Sequence, residues 1–338
     1  MHGETGNVKE LETIGGIAAT LDPPDDARGA LAISLGRTSV YLLNAGDAWL
    51  AGKMLERMNV VAHGVADPGV LALLYWTRAV HRAFADDLGG FLELTHRAVG
   101  HCDAAGDLRG ACSQRVNVGN AYKELGMYAE AEVVLREALS AAKRLGLQTN
   151  VAIAMQNLGF VLGHAGKIEE GQVMQAEAIA LFARFDNRRM EGVSHIYLAS
   201  SLAASGDLAR ATGQALTAVD QSSAFPAFHA YALGVLARVE LAQKRPQEAL
   251  RVVSLALESP DAMKSLEEGE ATVRLVHAEA LDAVGDRAGA AKAIATARDR
   301  LRQRAAKFTD AALAKSFLEK VPENARILAL DAAWNGNN

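Results

Sequence analysis

Two cysteines in 338 residues, Cys102 and Cys112, come with no CxxC pair and no histidine cluster, which argues against a disulfide framework. They read as buried thiols in a reducing compartment, and the expected location is the cytoplasm. Seven prolines and 5% aromatic residues supply little of what β-sandwiches and barrels are built from. No window approaches the roughly 18 apolar residues of a membrane span. The longest candidate, VLALLYW at residues 70–76, reads as core, and the N-terminus lacks a basic region followed by a long apolar stretch. Charge of one sign is also missing: 35 basic against 40 acidic residues give a net charge of -5, so no global field would hold a nucleic acid backbone. The one basic run, Arg298 to Lys307, alternates its charges and reads as a solvated helix face.

Catalytic signatures are absent too. The sequence has no GxxxxGK[ST] loop, HExxH pair, GxSxG elbow, kinase HRD or DFG signature, or calcium loop. His277 and Glu279 form an HxE near Arg274, but the register puts His277 beside a packed position, as a packed or half-exposed histidine. His81, His96 and His101 lie near Cys102 and Cys112 at spacings that match no standard zinc site. No enzyme activity, cofactor or metal is expected.

What is present is alanine, leucine and periodicity. Half the residues are hydrophobic and 22% are charged, enough for a core and too balanced for disorder. A turn position recurs at Gly46, Asp86, Gly126, Gly166, Gly206, Lys244 and Gly285, stepping by 40 residues four times and then by 38 and 41. Seven residues before each turn stand Ser39, Ala79, Gly119, Gly159, Ala199, Ala237 and Ala278, all small. Five residues after it stand Ala51, Phe91, Ala131, Gly171, Ala211, Ala249 and Ala290, and twelve after it Met58, Ala98, Ala138, Ala178, Ala218, Ala256 and Ala297. Only Phe91 and Met58 break the rule. Apolar residues at helical spacing fill the intervals, so each copy predicts two amphipathic helices joined by a tight turn. The small positions sit where two helices approach closely.

Small residue, turn glycine, small residue, with Tyr122 and Tyr128 flanking the turn, resembles the tetratricopeptide repeat, and the resemblance runs from about residue 30 to 305. The unit is longer than the family's common 34 residues, with the extra residues expected at junctions such as HGVADPG from His63, AAGDLRG from Ala104 and RLGLQTN from Arg144. This length is similar to the long-helix subtype of bacterial signalling and regulatory proteins. The resemblance implies an all-α, right-handed superhelix of about seven repeats whose first helices line a concave, peptide-binding groove.

In the family, groove residues lie two before and one, four or five after the small position of the first helix. Transferred to this chain, they give Arg37, Thr77, Asn117, Asn120, Lys123, Asn157, Tyr197 and Arg238, with Trp76 and Gln156 one residue over. Amide side chains both donate to and accept from a peptide backbone, so Asn117, Asn120 and Asn157 lead as contacts. Lys123, Arg238 and Arg115 could pair with peptide carboxylates. Valines at 116 and 193 stand where the family's carboxylate clamp needs lysines, which argues against a chaperone C-terminal tail.

The expected organisation is an N-terminal helix or half-repeat with a Pro-Pro linker over 1–29, repeats over 30–305, and C-terminal capping helices and tail over 306–338. Stepping back from Ala51 and Met58 lands on Leu11 and Ala18, which reads either as a half-repeat lid or as a fragment cut from a longer protein. The segment from Ser316 to Trp334 resembles the closing segment of helical arrays that follow kinase or nucleotide-binding domains, which implies an upstream kinase or NTPase domain. The segment containing VPEN, Ser316 to Trp334, reads as the closing cap. Two functions remain open: a protein- or peptide-binding scaffold or sensor in bacterial signalling, and a peptide-pheromone or small-ligand receptor whose superhelix tightens on binding.

Overall fold

The structure, a computed structural model, describes residues 23–258, 263 and 268–336, together with 13, 16, 17, 20 and 21. Leu11 and Ala18, which carried the half-repeat reading, lie outside the described residues. Among those described there are sixteen α-helices and no strand. A single 3-10 turn, Asp25–Ala27, precedes them. The chain divides into two compact units, residues 1–118 and 119–338.

The first unit holds α1 (Arg28–Asn44), α2 (Ala48–Val61), α3 (Pro68–Phe84), α4 (Leu88–Ala104) and the start of α5 (Leu108–Glu124). The second holds the end of α5, then α6 (Tyr128–Leu145), α7 (Gln148–His164), α8 (Ile168–Arg184), α9 (Arg188–Ala204), α10 (Leu208–Ser222), α11 (Pro226–Ala242), α12 (Pro246–Leu257), α13 (Glu270–Ala283), α14 (Arg287–Ala305), α15 (Ala311–Lys320) and α16 (Pro322–Asn335).

Every expected intra-repeat turn is three residues long, and every expected turn residue is left-handed, from Gly46 at φ 89° to Gly285 at φ 93°, Asp86 and Lys244 included. Glycine meets that conformation without steric cost, whereas Asp86 and Lys244 carry the strain of a side chain there. The junctions hold a surprise. Gly106, Gly146 and Asp186 are left-handed as well, so from Asp86 to Gly206 a left-handed residue occurs every 20 positions. The extra length therefore does not collect in loops at these junctions; it lengthens both helices to about seventeen residues. An Asp or Asn often follows the left-handed residue and caps the next helix: Asp47, Asp107, Asn187, Asp207 and Asp286 accept from the backbone N–H three residues on.

The small positions are all buried. At Gly159 the helices meet backbone to backbone: an added Cβ would stand 2.8 Å from the carbonyl oxygen of Gly171. Gly119 works differently, because its missing Cβ makes room for the Leu135 side chain, 2.5 Å from where that Cβ would be. The Met58 exception has a local compensation, since its sulfur lies 2.8 Å from the Cβ position left vacant at Gly36.

In the first unit, Ala32, Leu35, Leu42, Met54, Met58 and Leu74 form the main core. In the second, a larger core runs from Val193 through Tyr231 and Val253 to Ala280. There the first helices stack on one another, α7 on α9, α9 on α11 and α11 on α13, making a continuous inner wall.

The C-terminal pair does more than close the array as a one-faced cap. Asn335 donates to the Ala291 carbonyl at 3.0 Å, Arg298 forks onto Asp331 at 2.9 and 3.0 Å, and Arg326 reaches Glu279 at 3.1 Å, so α16 runs along α14 and α13. At its start Glu323 meets Arg238 of α11. Further on, Ser316 donates to the buried Leu125 carbonyl at 2.7 Å, and the Gly126 turn lies against the Lys320–Val321 peptide. The segment thus reaches from the last repeat back to the third across the wall of first helices. The basic run on α14 serves this packing rather than solvent alone: Arg300 pairs with Glu270, and Arg304 lies over Phe317.

Candidate functional site on the wall of first helices

Within the second unit a cavity of about 300 Å³ opens on this wall. Helix α7 contributes Gly159, Phe160, Gly163 and His164; α9 contributes Tyr197, Ser200, Ser201 and Ala204. Helix α11 adds Tyr231 and Arg238, and α16 adds Pro322 and Glu323. Gly163 adds no side chain to the space, and a Cβ there would have only Ser201 Oγ, at 3.8 Å, within 4 Å. Phe160 stacks on His164 with centroids 4.2 Å apart and meets Tyr197 edge-on at 4.8 Å, giving a wall of aromatic rings. The lining also carries charge: Arg238 Nη1 donates to Glu323 Oε1 at 2.8 Å. Burial alone would raise the Glu323 carboxyl, but the charge and hydrogen bond of Arg238 outweigh it and hold the group below the ordinary carboxylate range.

A second, smaller cavity of about 60 Å³ shares Phe160, Tyr231 and Glu323 with the first. Its centre is Lys123, only 2% exposed. The ammonium donates to Tyr197 Oη at 2.8 Å and Glu268 Oε2 at 3.1 Å, lies 3.2 Å from Glu124 Oε1, and sits 5.0 Å above the Phe160 ring. Burial works against the charge, but Glu268 and Glu124 more than offset it, so the Lys123 pKa is raised and the side chain is a cation rather than a nucleophilic amine. Glu124 bears the other side of the conflict. Burial and the Glu268 carboxylate push it up to about 7 against the pull of Lys123. Tyr197 and Tyr231 are raised well above the ordinary phenol range, chiefly by burial. The chemistry on offer is recognition, with aromatic faces, two serine hydroxyls and a guanidinium. Among the described residues no three His, Cys, Asp or Glu side chains are grouped to hold a metal.

The sequence-derived groove residues are dispersed. Tyr197 and Arg238 line the larger cavity and Lys123 the smaller. Gln156 is buried and committed to the scaffold, its Nε2 donating to the Met190 carbonyl at 2.8 Å and to Ser194 Oγ at 2.7 Å. Asn157 is buried and Asn120 half-buried, and neither lines these two cavities. Arg37, Trp76, Arg115 and Asn117 belong to the first unit, where Arg115 pairs with Asp103 at 2.8 Å and Asn117 donates to Gln114 at 3.2 Å. Arg37 is exposed on α1 and Trp76 half-buried on α3. The histidines near the cysteines have local partners: His81 with Ser39 at 2.7 Å, His101 stacked on Tyr75 at 5.1 Å. His277 is half-exposed, its pKa lowered by burial and by Arg274.

Phe160, His164, Ser200 and Ala204 escaped the sequence reading although its own register contains them. They stand one or five residues after Gly159 and Ala199. Their signal is the register alone, at aromatic, hydroxyl and small side chains rather than amides or charges. Glu268, Pro322 and Glu323 carry no repeat signal and join the site only through the fold.

Solved structures share this architecture. A Rap protein complexed with competence and sporulation factor matches with a TM-score of 0.67 and 13% identity, over 96% of this chain and 93% of that one. NprR in complex with its cognate peptide NprX matches with a TM-score of 0.68 and 14% identity, over 100% of this chain and 96% of that one. The apo form of the quorum sensor NprR from B. thuringiensis gives 0.63 at 15%, over 98% and 93%. At these identities the likeness is one of fold. No curated protein matches the sequence. Residues 112–145 match the tetratricopeptide repeat family model, and the seven helix pairs in phase with that copy give the chain a tetratricopeptide-type fold of the long-helix kind.

Proposed function

We propose that the chain is a non-enzymatic sensor or scaffold module of bacterial signalling that takes a peptide, or an exposed segment of a partner protein, on the first-helix wall of its second unit. The observation that carries this reading is the 300 Å³ cavity between α7, α9, α11 and α16, lined by aromatic rings, two serines and the Arg238–Glu323 pair. That volume is at the small end of the roughly 300–1,000 Å³ of ligand sites, enough for one or two anchoring side chains. The fold's occurrence in NprR, solved with its cognate peptide NprX, supports the same class of ligand here. The compactness of the cavity also favours the second reading, a receptor for a short pheromone-like peptide or small ligand, over a scaffold that binds long segments.

Panning the purified chain against a library of short peptides tests this. Binders are expected to carry apolar anchors and to lose at least tenfold in affinity when Phe160→Ala and Tyr197→Ala are introduced together. A library that yields no binder, or binders indifferent to both changes, overturns the assignment.

A further inference from the structure

Arg238 is committed to its partner by one bond only. Among the described residues a single N–H of its guanidinium is engaged, Nη1 to Glu323 Oε1 at 2.8 Å, although the group presents five donors in a fork suited to a carboxylate held by two. The pair is not sealed in the core. Arg238 keeps 31% and Glu323 17% of side-chain exposure, both on the cavity surface. Glu323 is the second residue of α16, and that helix is the segment folded back over the wall. The rest of the lining offers apolar faces, with Phe160 and Tyr197 edge to face at 4.8 Å, beside Ser200, Ser201 and His164.

We propose that Glu323 is an internal surrogate for the ligand: the cavity takes an apolar residue bearing or adjoining a carboxylate, and that carboxylate displaces Glu323 from Arg238, loosening the start of α16. This rests on the peptide-binding reading and gives it a chemical class. A tethered carboxylate competes at a high effective concentration, so a guest must offer more than its charge. It has two advantages, a bidentate approach to a guanidinium now held by one bond and apolar area laid against the rings. No bond is made or broken beyond hydrogen bonds. Loss of the Glu323 contact leaves α16 attached by Arg326 to Glu279 and by Asp331 to Arg298, so the change is confined to its first turns.

Three probes separate the sources of the carboxylate: acetyl-Ala-Ala-Phe as the free acid, the same peptide as its C-terminal amide, and acetyl-Ala-Glu-Phe amide. Titration by calorimetry is expected to show one of the two acids binding at least tenfold more tightly than the neutral amide. Glu323→Gln should tighten that acid by about tenfold and leave the neutral amide within twofold. Arg238→Gln on the Glu323→Gln background should erase the preference. Hydrogen exchange on the unaltered chain covers the case in which a variant does not fold: the acid should increase exchange at the start of α16, and the amide should not.

Equal binding of acid and amide, a preference that survives loss of Arg238, or unchanged exchange in α16 overturns the proposal. If acid and amide bind equally in a way that depends on Phe160, the peptide-binding reading stands and the carboxylate subsite falls. If none of the three probes binds, the carboxylate subsite falls as well, and the broader reading falls only if the library is also empty.

Discussion

Arg238 and Glu323 stand 85 positions apart in sequence and 2.8 Å apart in space, so one hydrogen-bonded ion pair ties α11 to the C-terminal helix. Both side chains are partly shielded, which places the pair between a weak surface bridge and a buried one. A double-mutant cycle of Arg238→Ala and Glu323→Ala should give a coupling of about 1–2 kcal/mol by urea unfolding. A coupling near zero would mean that the pair contributes nothing to holding the segment on the wall.

Glu124 makes stability depend on pH. An unfolded glutamate ionises near 4.3, whereas in the fold this one ionises at about 7, because burial and Glu268 outweigh Lys123. Between those values the folded chain keeps a proton that the unfolded chain has released, so its stabilising contribution is full below the lower value and falls as pH rises through the upper one. The loss is at most about 4 kcal/mol. Urea midpoints at pH 5 and pH 8 should differ by less in Glu124→Gln than in the unaltered chain; equal slopes would refute the assignment.

Glycine has opposite consequences at two helical positions. At Gly159 a Cβ would meet the Gly171 carbonyl oxygen and Gln175 Nε2, both at 2.8 Å, while at Gly213 nothing lies within 4 Å. Gly159→Ala should therefore destabilise by about 1–3 kcal/mol despite its gain in helix propensity. Gly213→Ala should stabilise by up to about 1 kcal/mol. Thermal melts of the two single variants compare them directly, and a shift of the same sign in both would contradict the packing.

Lys244 occupies a left-handed turn at φ 61° where every other repeat but that of Asp86 places glycine. Removing its Cβ relieves roughly 1–2 kcal/mol of backbone strain, partly offset by the greater freedom of glycine in the unfolded chain. Lys244→Gly should raise stability by about 0.5–1 kcal/mol in urea. A destabilising result would mean that the lysine side chain holds the turn.

The repeat was legible because its turns and close approaches are short-range demands. A left-handed step and a vacant Cβ recur with the period, and all seven predicted turn residues are left-handed. The 20-residue half-step is carried by Gly106 and Gly146 as well, inside segments whose residues also mark them as junctions. The site was only half legible. Tyr197, Arg238 and Lys123 follow from the register, whereas Glu268 and Glu323 come from segments outside it, and no local pattern tells which cation a distant carboxylate will meet. Gln156 shows the converse, a groove-side amide whose donors are taken by α9.

The even spacing of left-handed residues bears on how such a chain can grow. From Asp86 to Gly206 every helix ends in a similar short step, so gaining or losing one helix would leave the turn chemistry intact. The side chains would not tolerate it. Each helix downstream would exchange inner wall for outer, carrying aromatic residues such as Phe160 and Tyr197 to the wrong face. Backbone geometry counts in twenties and side-chain pattern counts in forties. Duplication or deletion in this lineage is therefore expected to obey a parity rule, written in packing rather than in the turns.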